Sequence, residues 1–205
     1  MQQVVHVSKH EAGKLQNFLA VNTNTLTNDF CQKMHSAKGD TICKDCYSWD
    51  MLHGSRKNCQ VSFERNSQLL STAILDTAQL PLFNSLWVRI DAHGELINEI
   101  HFHNIVLIAR HNPETTITLF TKRKKIVWDW IKKHGEIPNN LILVFSNPKK
   151  DKIRENPPRY FHKVFNTVTR PHKRENCTGQ KCINCLACYR FDGKSVLIER
   201  VKKRA

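Results

Sequence analysis

Eight cysteines stand in this chain of 205 residues, and four of them crowd into Cys177-Thr-Gly-Gln-Lys-Cys182-Ile-Asn-Cys185-Leu-Ala-Cys188. Four, two and two residues separate them. A thiolate is a soft ligand for iron or zinc, and cysteines closely spaced along a turn aim at a common centre. Zinc ribbons set two Cys-x-x-Cys knuckles well apart, each giving half a tetrahedron. Here Cys185 belongs to two overlapping pairs, which is closer to the runs that wrap an iron–sulfur cubane. The plain alternative is a set of buried free thiols.

Upstream, Cys31, Cys43 and Cys46 supply three more sulfurs, so seven cysteines divide as four plus three. A cubane held by three cysteines leaves one iron open, as a catalytic metal keeps one open position. The eighth, Cys59, reads as an ordinary thiol beside a helix; its alternative is to complete a four-cysteine zinc site with the trio. A single site shared by both ends of the chain is a further alternative.

A second candidate is Arg89-Ile-Asp91-Ala-His93-Gly94-Glu95, where a strand gives way to a helix. Ligands of parallel sheets collect at such strand ends. Gly94 permits close backbone approach, Glu95 is placed to meet a cationic group such as an amine, and Asp91 and His93 share the same mouth. The competing reading is a simple helix start, with Asp91 as cap and Glu95 favouring the helix dipole. Thr121-Lys122-Arg123-Lys124-Lys125 follows another strand end and suits a phosphate or nucleic-acid backbone, or else a solvated helix start. His101 and His103, two apart on a helix, read as surface or packing residues rather than metal ligands. No Ser/His/Asp arrangement, Gly-rich phosphate loop or His-Glu-x-x-His motif is visible, which weakens hydrolase readings.

The elements that must position these groups alternate. Strands are expected near Leu15–Asn22, Leu86–Asp91, Thr115–Thr121, Leu141–Phe145, Lys163–Thr169 and Ser195–Val201, and helices over Phe63–Ala78, Leu96–His111 and Lys124–His134. The N-terminal trio falls on a long loop after the first strand. Lys149–Arg159, basic and carrying two prolines, reads as a solvated loop or lid, and Lys202-Lys203-Arg204 as a basic tail. The alternation points to an α/β fold with a parallel sheet or partial barrel. It is a single domain overall, with residues 1–148 forming the barrel and residues 149–205 closing on the same core.

Composition narrows the setting. A hydrophobic fraction of 40% with 24% charged residues describes a soluble globular chain. No apolar run is long enough to span a membrane, and no signal peptide is read at Met1–Ala20, so a cytoplasmic protein with reduced cysteines is expected. The net charge of +14, from 32 basic against 18 acidic residues, points to an anionic partner, nucleic acid first.

The order Cys31, Cys43-x-x-Cys46-Tyr47, Asn66, Arg89-Ile-Asp91-x-His93-Gly94-Glu95, Phe120-Thr121-Lys122 and Cys177–Cys188-Tyr189 resembles the phage-associated "gene product eighty-eight" proteins from about Asn22 onward. These in turn look like short relatives of radical S-adenosylmethionine enzymes. That likeness implies a partial (β/α) barrel with a three-cysteine [4Fe-4S] loop after its first strand, and a host-cytoplasm location if phage-encoded. It also implies S-adenosylmethionine at Asp91, His93, Gly94 and Glu95. His93-Gly94-Glu95 matches the position of a Gly-Gly-Glu segment that meets the cofactor's amino group, with one of its two glycines. Under this reading the chain carries one or two iron–sulfur clusters and acts on nucleic acid or a peptide, with the C-terminal quartet structural or relaying electrons. The alternative is a non-catalytic zinc or iron–sulfur module that binds nucleic acid or a host protein. It is favoured by the eleven residues between Cys31 and Cys43, where that superfamily has three.

Overall fold

A strand buried on both faces needs apolar residues at successive positions, and Leu141-Ile-Leu-Val-Phe145 is such a run. In the computed structural model, which describes residues 4–201, it forms β5 (Leu141–Ser146) near the middle of one seven-stranded sheet. The expected basic tail at 202–204 lies outside the described residues. The strands are β1 (Ser8–Lys9), β2 (Leu19–Val21), β3 (Trp87–Ile90), β4 (Thr116–Thr121), β5, β6 (Lys163–Val168) and β7 (Val196–Arg200). They lie side by side in chain order, with β1 antiparallel to β2 and every later pair parallel. The sheet runs unbroken across residue 149, so the C-terminal segment shares the core of the rest. Among the described residues no pairing joins the two edges into a closed barrel.

Alternation along the strands assigns the faces. Val21, Val88, Ile90, Ile117, Leu119, Leu141, Leu143 and Phe145 point one way and bury against helices α3 (Gln60–Thr72), α4 (Glu99–His111) and α5 (Lys124–His134) in the main core. Phe102, Ile105 and Trp130 supply much of its helix side, and burying an aromatic or branched aliphatic side chain stabilises by about 1.5–3 kcal/mol. The opposite face carries Ala20, Arg89, Thr118, Phe120, Ile142, Val144 and Phe165. Ala20–Arg89 and Arg89–Thr118 are in direct register. This face is covered by the C-terminal cysteine segment: Phe18, Leu186 and Tyr189 form one small core, and Cys188 packs against both it and the Phe120–Ile142–Val144 group.

Several local expectations are corrected. The N-terminal trio does not sit on an irregular loop. Cys31 is in α1 (Asp29–Ser36), which Asn28 caps by accepting from the Phe30 and Cys31 amides, at 3.0 and 3.4 Å. Cys43 lies in a 3₁₀ turn, Ile42–Asp45, and Cys46 precedes α2 (Tyr47–His53). The helix expected over Phe63–Ala78 starts earlier and stops at Thr72, because Asn104 of α4 reaches into the chain beyond. Its amide donates to Leu70 O and Ala73 O and accepts from Leu75 N, all within 2.8–3.0 Å. The helix expected from Leu96 begins at Glu99, with Asn98 as its cap. The basic stretch after Pro148 is held at its start, not free: Lys150 bonds Asp40 at 2.6 Å and Asp45 at 2.8 Å, and Lys149 bridges Thr41.

Candidate functional site

The turn after β3 is built around one glycine. Gly94 has φ +105, and a Cβ there would lie 2.0 Å from Thr23 Oγ1 and 2.9 Å from Asp91 Oδ1. Only glycine lets this turn close on the segment following β2. Asp91 itself adopts a left-handed φ of +52. Its Oδ1 accepts from Thr23 Oγ1 at 2.7 Å, while its Oδ2 is buried without a partner. Burial holds the Asp91 carboxyl up at about 8, with Glu95 adding to the effect and the Thr23 hydroxyl opposing it. His93 is buried; its amide donates to Asn22 Oδ1 at 2.9 Å and its Nδ1 pairs with Ser48 Oγ at 2.8 Å. Burial, helped by nearby arginines, keeps it neutral with a pKa of about 3.

Glu95 is 2% exposed and its carboxylate is fully engaged. Oε1 accepts from Thr121 Oγ1 and, at 2.9 Å, from the Leu96 amide; Oε2 accepts from the Lys122 amide at 2.9 Å. Lys122 Nζ stands 3.7 Å from Oε2. The four residues of the second sequence candidate therefore do meet at one strand end. Of them, Asp91 is the one whose carboxylate keeps an unused oxygen, and Glu95 ties the ends of β3 and β4 together.

The N-terminal cysteine trio lies within charge reach of this strand-end pair. Burial pushes the Cys31 and Cys43 thiols up, Glu95 and Cys46 push them further, and Lys122 pulls them down. Burial alone would lower Lys122, but Glu95 and the three thiols raise it above the ordinary lysine value. Lys122 is thus the cation of the trio. Cys59 is not among the charges that dominate at Cys31 or Cys43; it leads into α3, where its carbonyl accepts from Ser62 Oγ at 3.0 Å.

The C-terminal quartet has a separate environment. A four-residue helix α6 (Cys182–Cys185) is anchored by the Cys182 amide donating to Lys14 O at 2.7 Å. Lys14 Nζ donates to Cys177 Sγ at 3.5 Å and pairs with Glu199, and Gln180 Nε2 donates to Cys185 Sγ at 3.3 Å. Burial raises Cys177, Cys182 and Cys188, and Arg89 is the leading cation opposing this at Cys182 and Cys188. The dominant charges therefore sort seven cysteines into a trio around Lys122 and a quartet around Lys14 and Arg89. All eight are free thiols with intermediate exposure. Among the described residues, no three His, Cys, Asp or Glu side chains stand in an arrangement ready to hold a metal ion.

Arg89, Lys14 and Thr118 are site residues that spacing arguments passed over. Arg89 sat inside the quoted motif, and its placement at a non-core position of β3 was its one visible signal. His101 and His103 pack within the helical layer, His101 accepting from the Ile97 amide and His103 from Trp130 Nε1, both at 3.2 Å. No helix is long and apolar enough to cross a membrane among the described residues.

These features define an α/β protein with a sequentially ordered, mainly parallel sheet and two cysteine groups, one at its strand ends and one across the face opposite α3, α4 and α5. The chain belongs to the Gene product 88 family, whose model matches residues 6–203. Comparison with curated proteins and with solved structures yields no match.

Proposed function

We propose that this chain is an iron–sulfur protein in which Cys31, Cys43 and Cys46 hold one cluster and Cys177, Cys182, Cys185 and Cys188 hold another. The observation that carries the reading is that seven undisulfided cysteines fall into a trio beside Lys122 and a quartet beside Lys14 and Arg89. Soft thiols with N–H donors on their sulfurs, as Lys14 and Gln180 provide, are the donor chemistry such clusters use. A four-iron cluster held by three thiolates offers one iron with an open position when bound. The chain's own contribution is electrostatic and positional. Lys122 offsets thiolate charge, Glu95 fixes the strand ends, and Asp91 keeps a buried, unpartnered carboxyl oxygen that suits a polar ligand group.

The finer reading is a partial (β/α) barrel of the radical S-adenosylmethionine type, phage-encoded and acting in the host cytoplasm, with S-adenosylmethionine as cofactor. Its support is the chain-order succession of six parallel strands, the cysteine trio following β2, and Asp91–Glu95 following β3. The charge of +14 supports nucleic acid or another anionic partner. A non-catalytic zinc module is the second reading, favoured by the eleven-residue gap between Cys31 and Cys43.

Iron, zinc and acid-labile sulfide analysis of anaerobically purified protein tests these readings, using wild type, Cys46→Ala and Cys185→Ala. Two clusters predict that each variant loses about half the iron and sulfide while keeping the rest. Complete loss in both variants means one shared site. Zinc without sulfide defeats the iron reading and selects the module.

A further inference from the structure

Seven buried side-chain polar atoms lack a hydrogen-bond partner among the described residues, and they are not scattered evenly. His10 Nε2, Asn22 Nδ2, Arg89 Nε, Asp91 Oδ2 and Thr118 Oγ1 belong to β2, β3, β4 and the segments adjoining them. Buried polar groups are nearly always satisfied by protein, water or ligand. Two of these orphans, Arg89 Nε and Thr118 Oγ1, are direct neighbours on one sheet face and mark a place where something polar belongs.

Arg89 is the centre of that place. Its guanidinium lies 3.4 Å above the Phe120 ring, which fixes its plane and leaves its N–H edges facing sideways. Nη1 makes one long bond, 3.4 Å to Tyr189 OH, and Nε makes none. No carboxylate pairs with it among the described residues: Asp91, two positions along, is turned to Thr23 instead. Thr118 is its direct neighbour across the β3–β4 ladder, with an unused hydroxyl. On the other side its neighbour across the β2–β3 ladder is Ala20. Arg89 as a residue is partly exposed, while its Nε is shielded from water.

We propose that Arg89 and Thr118 form an anion subsite on the face of the sheet opposite α3, α4 and α5, taking a carboxylate or phosphoryl group of the ligand. A planar fork of N–H donors held flat on an aromatic ring matches two oxygens of such a group, and a hydroxyl alongside adds a third contact. The subsite goes beyond the cluster reading and needs no metal to operate.

Isothermal titration calorimetry of the as-isolated full chain, with ionic strength held constant by chloride, tests this with inorganic phosphate in one arm and acetate in the other. Wild type is compared with Arg89→Lys, which keeps the charge but loses the fork, and Thr118→Val, which keeps the shape but loses the hydroxyl. Saturable binding of phosphate, acetate or both at one site is expected, with the responding arm naming the oxyanion. Affinity should fall at least about tenfold in Arg89→Lys and about fivefold in Thr118→Val. No saturable binding in either arm overturns the subsite, as does equal binding by wild type and Thr118→Val. If Arg89 serves only as counter-charge to metal-bound thiolates, neither anion binds and Arg89→Lys, which keeps the charge, keeps the metal content; that result also overturns it. Metal content is measured on the same samples, so a failed subsite and a failed cluster reading are told apart.

Discussion

Gly94 shows how much a single missing methyl group can decide. With φ at +105 and Thr23 Oγ1 at 2.0 Å from a built Cβ, alanine here forces the turn after β3 away from the segment after β2. Gly94→Ala should lose about 2 kcal/mol or more of stability, from the left-handed backbone and the overlap together. Urea denaturation measures it as a lowered midpoint with an unchanged slope. The contacts broken first would be Thr23–Asp91 and Gly94–Thr25, so the variant should disturb the strand-end site before it disturbs the helices. Glycine's role at this position was legible in the sequence. That Glu95 is consumed by Thr121, Leu96 and Lys122 was not, because Thr121 and Lys122 are brought in by the sheet from 26 and 27 residues away.

Among the elements, the long strands and α4 and α5 could be read in advance because each buries a face with strong periodicity. α1 could not: none of its residues is buried, so it has no core stripe, and its cap residues Asn28-Asp29 were the one available signal. β1 is two residues long, too short for any alternation to show. The early end of α3 is a tertiary decision made by Asn104. Asn104→Ala removes three buried hydrogen bonds that hold Leu70–Leu75 and should cost about 3 kcal/mol, again by urea denaturation. Docking of the cysteine quartet depends on a different contact, the Phe18 and Tyr189 rings at 4.6 Å between centroids. Phe18→Ala should lower overall stability by about 3–5 kcal/mol. It should also speed amide hydrogen exchange across residues 182–189 more than in β4 or β5. Equal protection in both regions would show that the quartet is anchored elsewhere, through Lys14 and Glu199.

Over the whole molecule, buried titratable groups set opposing responses to pH. His93 and His101 are pushed by burial to about 3 and His10 to about 4, against an ordinary 6.5. Below pH 6.5 the unfolded chain gains protons that these folded imidazoles refuse, so stability falls as pH drops through that window. Asp91, raised by burial to about 8 from 3.8, does the reverse: it keeps a proton that the unfolded chain has released, so stability falls as pH rises through that range. Between about pH 4 and 6.5 three histidines outweigh one aspartate, and from 6.5 to 8 the aspartate acts against them alone. Stability should therefore peak near pH 6.5, and Asp91→Asn should flatten the decline toward pH 8. Denaturation midpoints across this range check both. A family match over residues 6–203 fits a fold whose sheet runs through both sequence halves. The division of the cysteines was visible in their spacing, but the cations beside them, Lys122, Lys14 and Arg89, were not.

The anchoring of residues 182–189 on Lys14 and Phe18 has a consequence for biosynthesis. Ribosomes release Phe18 long before the quartet emerges, so this side of the nascent sheet stays uncovered until residues 182–189 have been made. Anything destined for that interior has its freest access in this interval, and the cysteine quartet acts as the closing flap.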